Sequence, residues 1–244
     1  MEVIILAMGE TRALCPFDAE VWSVNNGYRQ LITCYDCYIQ KQKLVKLQIK
    51  SNRAVCPHCN KEWPIPRIDK IFLAHTQCWD AEGDPVFNWA ELNHLADRGV
   101  EIINTHRVKG LKAKLFPMKS LVGKFGRSYF SDSIAYMVAY ALYKGYAKIR
   151  LYGADMHTYS EYAKEKGGIE YWLGRAEQAG IKVEISEGSS LLKTATGHPY
   201  GKNLKTRYFY QDAEGGKIEF KVKKKKTLFA KDFERFNIIK MPGR

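Results

Sequence analysis

The sequence predicts an α/β fold with a Rossmann-like, mostly parallel sheet, because short apolar runs alternate with segments of helical periodicity. Two features interrupt this alternation. Two Cys-x-x-Cys pairs follow the second apolar run, and the end of the chain is basic without a regular pattern. We therefore expect a core formed by residues 1–27 and 68–200, a zinc ribbon inserted at residues 28–67, and a basic C-terminal appendage at residues 201–244.

The first half of the core is predicted from four apolar runs and one amphipathic segment. Strands are expected at residues 2–8, 20–25, 70–75 and 100–104, since short apolar runs are typical of buried parallel strands. Trp89, Leu92 and Leu95 recur at helical spacing before Gly99, which predicts a helix over residues 86–98. Residues 105–129 are basic and weakly periodic, so we expect a long loop there.

The second half contains the clearest helix of the chain, over residues 131–144. Its apolar positions follow the spacing i, i+3, i+4, i+7, i+8 and are Ile134, Met137, Val138, Ala141 and Leu142. Ser131 or Asp132 is expected to cap its start, and Gly145 its end. Strands are predicted at residues 147–152 and 181–185, with a helix between them over 161–179 that breaks at Gly167 and Gly168. The appendage is expected to form a hairpin over 206–223 and a short helix over 228–236.

The two cysteine pairs predict a structural zinc site. Cys34 and Cys37 are separated from Cys56 and Cys59 by eighteen residues, a spacing typical of four-cysteine ribbons. Residues 38–55 contain two apolar segments around a polar, basic turn at 50–53, which indicates a two-stranded hairpin. Four thiolates would close the coordination sphere, so the ion is expected to stabilise the fold and not to catalyse. Unmetallated core cysteines or a redox pair are the alternatives.

Composition indicates a soluble globular protein. Of the 244 residues, 45% are apolar, and no run of eighteen apolar positions occurs, so we expect no membrane contact. The opening residues lack a basic segment before the short apolar run, which indicates a first strand and not a signal peptide. Paired metal-binding thiols fit a reducing interior. We therefore expect a cytoplasmic protein.

Positive charge predicts a nucleic-acid partner. The chain has 39 basic and 26 acidic residues, a net charge of +13, which favours a polyanion. The basic residues concentrate in residues 41–53, residues 109–127 and the last forty positions. The side chains expected to contact phosphates are Lys119, Lys124, Arg127, Lys223, Lys224, Lys225 and Lys226. A basic surface that serves solubility alone is the alternative.

Polar residues collect at the predicted carboxyl ends of the strands, where open parallel sheets bind ligands. Gly9, Thr11 and Arg12 follow the first strand, Asn25 follows the second, and Gly153 and Asp155 follow the fifth. Ser131 and Ser133 open the central helix, whose N-terminus attracts phosphate or carboxylate. Asp155 is placed to recognise a metal, a ribose or a hydroxyl group. The alternatives are that the serines only cap the helix and that Asp155 only caps its loop.

Residues 129–159, YFSDSIAYMVAYALYKGYAKIRLYGADMHTY, resemble a segment of the bacterial sialyltransferases. In that segment a serine-initiated helix precedes a strand that ends in Gly-x-Asp. The wider group includes the 6-hydroxymethylpterin pyrophosphokinase-like proteins and the motility accessory factors. The resemblance implies a nucleotide or nucleotide-sugar pocket in which Asn25 contacts the nucleotide, with Ser189 and Ser190 in a Ser-Leu-Leu run of the family. The chain also resembles uncharacterised tailed-phage proteins.

The sequence departs from the sialyltransferase pattern at two places. The turn from Gly9 to Arg12 lacks the family's second glycine and its proline, and the stretch after Asp155 is too short for the lid that carries the family's catalytic histidine and tyrosines. Asp155 and His157 are therefore the catalytic candidates, with His198 as a further candidate base.

Together, the Rossmann-like core, the zinc ribbon and the basic tail lead to the hypothesis of a nucleotide-sugar-dependent glycosyltransferase acting on nucleic acid, for example on a modified base of phage DNA. One alternative is a non-catalytic, zinc-containing nucleic-acid-binding module on a degenerate nucleotide-binding fold. Another is a pyrophosphokinase-like transferase that needs Mg²⁺ at Asp155.

Overall fold

The computed structural model describes residues 1–32, 34–41, 45–50, 53–77, 87–156 and 162–192, which all lie in the unit Met1–Leu192. The predicted hairpin at 206–223, the predicted helix at 228–236 and the lysines at 223–226 lie outside the described residues. His157 and His198 lie outside them as well. Within the described residues, no helix is long and apolar enough to span a bilayer.

The described residues form ten strands, five α-helices and two short 3-10 helices. In chain order the strands are β1 (Glu2–Leu6), β2 (Glu20–Val24), β3 (Gln48–Lys50), β4 (Arg53–Val55), β5 (Glu62–Trp63), β6 (Lys70–Leu73), β7 (Glu101–Asn104), β8 (Lys114–Leu115), β9 (Lys148–Tyr152) and β10 (Lys182–Ile185). The helices are α1 (Tyr35–Lys41), α2 (Trp89–Asp97), α3 (Met118–Phe125), α4 (Ser133–Lys144) and α5 (Tyr162–Gln178), with short 3-10 helices at Glu10–Leu14 and Gly27–Ile32.

Seven of the described strands form one sheet in the order β10-β9-β1-β2-β6-β7-β8, and every neighbouring pair is parallel. The predicted α/β class is therefore confirmed. The chain builds the sheet outward from β1 through β8 and then crosses back to place β9 on the other side of β1. This reversal between β1 and β9 is the topological switch point, beside which open α/β sheets bind ligands.

The sheet is buried on both faces, which explains why its strands are continuous apolar runs. Val3 and Ile5 of β1 pack against the helices α4 and α5, whereas Ile4 and Leu6 pack against Cys15 and neighbouring residues on the opposite face. A second cluster, built on Ile71, Leu73, Leu92 and Ile102, places α2 over β6 and β7.

Two expectations about local structure are wrong. Residues 105–129 are not a long loop, because β8 pairs with β7 and α3 buries Leu121 completely. Nor does α5 break at Gly167 and Gly168. A Cβ on Gly168 would lie 2.0 Å from Ser131 Oγ, and one on Gly167 would lie 2.8 Å from Tyr129 Oη. The two glycines therefore allow the segment before α4 to approach a continuous helix.

Candidate functional site

At the switch point, two backbone hydrogen bonds continue the pairing of β1 and β9 beyond the ends of the strands. Ala7 N donates to Tyr152 O at 2.8 Å, and Gly9 N donates to Gly153 O at 2.8 Å. Gly153 has a φ of +72°, and a Cβ there would lie 2.4 Å from Ala7 O. A Cβ on Gly9 would lie 2.5 Å from Asp155 Oδ2. Both predicted glycines are therefore required by close approach of the backbones.

The structure brings Asp155 to Thr11. Asp155 is 8% exposed; its Oδ2 accepts from Thr11 N at 3.0 Å, and its Oδ1 accepts from the Thr11 hydroxyl. Thr11 Oγ1 in turn accepts from Gly153 N at 2.8 Å and from Ser186 Oγ at 2.8 Å. The Asp155 carboxylate thus ties the first turn of the chain to the loop after β9.

The predicted serines after β10 lie beside Asp155. Ser189 Oγ donates to Ala154 O at 2.5 Å, and Ser190 N donates to Asp155 O at 2.9 Å. Ser190 Oγ donates to Met156 O at 3.0 Å. The Ser-Leu-Leu run therefore packs along the loop that carries Asp155, and these hydroxyl donors are used within the protein.

Arg12 turns back onto its own loop. Its Nη1 donates to Gly9 O at 3.2 Å and also to Met8 O. The guanidinium therefore places a positive charge on the loop that follows β1. A positive charge at this edge of the sheet suits the phosphate of a nucleotide.

Asn25 carries an acceptor that the described residues do not satisfy. It lies at the carboxyl end of β2 with a φ of +48°, and its backbone N donates to Phe72 O at 2.9 Å. Among the described residues, its buried Oδ1 has no hydrogen-bond partner, and the same is true of Ser23 Oγ in β2. An unsatisfied buried polar atom costs about 1–3 kcal/mol, so its presence calls for an explanation.

The N-terminus of α4 is capped from within the protein. Asp132 accepts from Ala135 N at 2.8 Å, and Ser131 Oγ donates to Glu165 O at 2.6 Å. Ser133 is the first residue of the helix. Burial raises the pKa of Asp132 to about 7, with a further contribution from the Glu165 carboxylate.

Three polar residues at the same edge were missed by the sequence reasoning. Asn104, which ends β7, is fully buried; its Nδ2 donates to His75 O at 2.8 Å, and its Oδ1 accepts from His75 N at 3.3 Å. His106 Nδ1 lies 2.8 Å from Thr105 Oγ1. Burial lowers the pKa of the His75 imidazole, and the charge of His106 lowers it further. The available signal was a polar residue directly after an apolar run, as at Asn25.

The four paired cysteines converge as predicted. The ligand atoms of Cys34, Cys37, Cys56 and Cys59 all lie within 4.8 Å of one another. The Sγ atoms of Cys34 and Cys59 are 3.7 Å apart, as are those of Cys37 and Cys56. Four sulfurs about 2.3 Å from a tetrahedral ion lie about 3.8 Å from each other. The cluster can therefore hold a metal ion such as zinc.

The surrounding ribbon has the predicted hairpin and two elements that were not predicted. β3 and β4 pair antiparallel, as expected, and β5 adds a third strand. α1 begins directly after Cys34, so the first cysteine pair opens a helix. Backbone N–H groups of His58 and Cys59 donate to Cys56 Sγ at 3.4 and 3.5 Å, which stabilises a thiolate at that position.

The predicted phosphate-binding residues that the structure describes lie on or just after α3. Lys119 is exposed. Lys124 Nζ lies 5.2 Å from the centroid of the Tyr143 ring. Arg127 is exposed and lines an open groove between the end of α3 and α5.

No protein-family model matches the chain, and no curated protein matches it. Among solved structures, the chain is similar to a point mutant of the alpha-2,3/8-sialyltransferase CstII, with a TM-score of 0.33 and 17% sequence identity. The alignment covers 76% of this chain and 81% of that chain.

Proposed function

We propose that the carboxyl edge of the sheet binds a nucleotide or nucleotide-sugar and that the protein is a glycosyltransferase-like transferase acting on nucleic acid. The observation that supports the nucleotide site is the buried Oδ1 of Asn25, which finds no hydrogen-bond partner in the part of the chain that the structure describes. It lies one strand away from the switch point of a fully parallel sheet, where ligands of such sheets bind. A ribose hydroxyl or an exocyclic amino group would supply the missing donor.

Other groups of this edge support the same proposal. Arg12 places a positive charge on the loop after β1, which suits the phosphate of a nucleotide. Burial lowers the pKa of the His75 imidazole, which favours the neutral form that accepts a proton. His75 thus joins His157 as a candidate base. Asp155, predicted as catalytic, would act mainly by holding the loop around the ligand.

For the ribbon we propose a structural Zn²⁺ held by the four cysteines. The sulfur distances suit a tetrahedral ion, and four thiolates leave no position for water or substrate. A small apolar cluster surrounds the cysteines, including Val45, Leu47 and Trp63. Because this cluster is too small to stabilise the ribbon by itself, we expect binding of the ion to contribute most of the ribbon's folding free energy.

The positive charge of the chain supports the proposal that the acceptor is a nucleic acid. The chain carries a net charge of +13, and Lys119 and Arg127 are exposed. Modified bases of phage DNA are one acceptor that this proposal includes.

A second candidate is a non-catalytic nucleic-acid-binding module. The observation that favours it is the buried pair formed by Asp155 and Thr11, because a carboxylate satisfied by the protein itself is poorly placed for chemistry. A magnesium site at Asp155 has less support. Among the described residues, the group of three or more possible metal ligands is the four cysteines.

The experiment that separates these candidates is a thermal-shift screen of the zinc-loaded protein. The ligands are CMP, UDP, GDP, their sugar derivatives and ATP, the last with and without Mg²⁺. A concentration-dependent rise in melting temperature with one nucleotide supports the transferase. No shift with any ligand, together with tight binding of DNA, contradicts the nucleotide site and favours the binding module.

A further inference from the structure

An open groove of about 820 Å³ lies between the end of α3 and the second half of α5. The residues of the groove that matter here are Phe125, Arg127, Glu170, Tyr171, Gly174 and Arg175. None of the residues predicted to bind a nucleotide lines it, so the groove is separate from the site at the carboxyl edge.

Arg175 is held in place at one side of this groove. Its Nη1 donates to Phe125 O at 2.9 Å and lies 3.0 Å from Tyr171 Oη. Its guanidinium carbon lies 5.4 Å from the Phe125 ring centroid and 5.8 Å from that of Trp172. Both bonds use Nη1, and no other described residue accepts from Nη2 or Nε, so these donors can bind an anion. A guanidinium fixed in this way loses little conformational entropy when it binds phosphate.

Arg127 supplies a second positive charge. It is exposed, and among the described residues no ion pair or hydrogen bond engages its side chain. The negative charge of Glu170, the acidic residue that lines the groove, is partly neutralised within the protein. Its Oε1 accepts from Leu192 N at 2.8 Å and lies 3.5 Å from Lys166 Nζ. The charges of the groove therefore favour a polyanion.

A half-exposed aromatic ring, that of Tyr129, packs against Tyr171, which lines the groove. Tyr129 is 49% exposed, and its ring centroid lies 5.7 Å from that of Tyr171. Its backbone is fixed, because Trp172 Nε1 donates to Tyr129 O at 2.7 Å. A half-exposed ring on a fixed backbone, in contact with a residue that lines a basic groove, can stack on an unpaired base.

Gly174 lines the groove and carries no side chain into it. Among the described residues, a Cβ at this position would meet no atom within 4 Å. Glycine inside a helix costs about 1 kcal/mol relative to alanine, and packing gives no reason for it here. This contrasts with Gly168, where a Cβ would lie 2.0 Å from Ser131 Oγ.

We propose that this groove binds single-stranded nucleic acid, with phosphates on Arg127 and Arg175 and an unpaired base on Tyr129. The inference rests on the part of the proposed function that gives the protein a nucleic-acid acceptor. It does not depend on the nucleotide site.

The test is fluorescence anisotropy with a labelled oligothymidylate of about twelve nucleotides, within the range that single-strand-binding folds cover. Gly174→Leu fills the groove without removing a charge, and the matched control is Gly123→Leu. Gly123 lies in α3 outside the groove, and a Cβ there would also meet no atom of the described residues within 4 Å. Both substitutions improve helix propensity, so neither is expected to unfold the protein.

We expect Gly174→Leu to weaken binding at least about tenfold, or about 1.4 kcal/mol, and Gly123→Leu to change it less than about twofold. Arg127→Gln should lower the slope of log K against log salt by about 0.7, the value for one phosphate contact of a single strand. Tyr129→Ala should weaken binding with the salt slope unchanged.

Three results would overturn the inference: no binding by the wild-type protein, equal binding by Gly174→Leu, or equal affinity for a duplex of the same length. Titration of Gly174→Leu with the nucleotide found in the thermal-shift screen separates the two proposals. Gly174→Leu should bind the nucleotide with the affinity of the wild-type protein. If the protein binds no nucleotide at all, the proposed function fails at that site, and the oligothymidylate measurements still test the groove.

Discussion

Thr11 and Asp155 are joined by two hydrogen bonds although 144 positions separate them in the chain. The Thr11 backbone N–H donates to Asp155 Oδ2 at 3.0 Å, and the Thr11 hydroxyl donates to Oδ1. The pair connects the turn after β1 to the loop after β9 at the switch point of the sheet. The first role of this pair is therefore to fix the two loops that border the candidate nucleotide site.

Asp155→Ala should lower the free energy of unfolding by about 3 kcal/mol, because it removes a charged acceptor and leaves buried donors unpaired. Guanidinium denaturation followed by circular dichroism measures the change. In a double-mutant cycle, Thr11→Val and Asp155→Ala should show a coupling of at least about 1 kcal/mol. Additive effects of the two substitutions would contradict the contact.

Asp132 should make stability fall as pH rises. The Asp132 carboxyl has a pKa of about 7 in the folded protein, against an ordinary value of 3.8. Between these pH values the folded protein therefore binds more protons than the unfolded chain. Relative to Asp132→Asn, the wild-type protein should lose about 2 kcal/mol of unfolding free energy between pH 5 and pH 7. The asparagine can still accept from Ala135 N, so the helix cap is retained. Parallel pH profiles for the two proteins would show that Asp132 keeps an ordinary pKa.

Two glycines of α5 should respond in opposite directions to the same substitution. Gly168→Ala forces a Cβ against Ser131 and should cost about 1–3 kcal/mol. The Cβ of Gly174→Ala would meet no atom of the described residues within 4 Å, so this substitution should stabilise the protein by about 0.5–1 kcal/mol. Melting temperatures of the two variants, measured side by side, check the prediction. Equal shifts in the same direction would mean that the approach of α4 to α5 is not tight.

The ribbon should bind one Zn²⁺ per chain, measured by elemental analysis of the purified protein. Cys37→Ser should abolish stoichiometric binding, whereas Cys15→Ser, which alters a buried cysteine outside the cluster, should not. Chelation should lower the thermal stability of the ribbon. Full zinc content in Cys37→Ser would exclude the four-thiolate site.

The sequence predicts the strands of the core and the cysteine cluster because each depends on local information. A strand buried on both faces is a continuous apolar run, as in β1, and metal-binding cysteines are recognised by their spacing. β8 and α3 are too short for periodicity to reveal them. α3 is held by tertiary burial of Leu121, which no local pattern reports.

The contacts of the candidate site depend on register between distant segments. Leu6 pairs with both Ser23 and Tyr152, which sets the loops after β1, β2 and β9 side by side. The residues at this edge could be named from the sequence, but their partners could not. Asp155 finds Thr11, whereas Asn25 Oδ1 finds no partner among the described residues.

Calorimetric titration of Asn25→Gly with the nucleotide found in the thermal-shift screen tests the central claim most directly. Glycine tolerates the left-handed backbone at this position, so the variant removes the amide without backbone strain. The matched control is Asn60→Gly in the ribbon, where φ is +58°. We predict that Asn25→Gly weakens nucleotide binding at least about tenfold, or about 1.4 kcal/mol, and that Asn60→Gly leaves it unchanged. Equal affinities for the wild-type protein and Asn25→Gly would contradict a nucleotide site at this edge of the sheet.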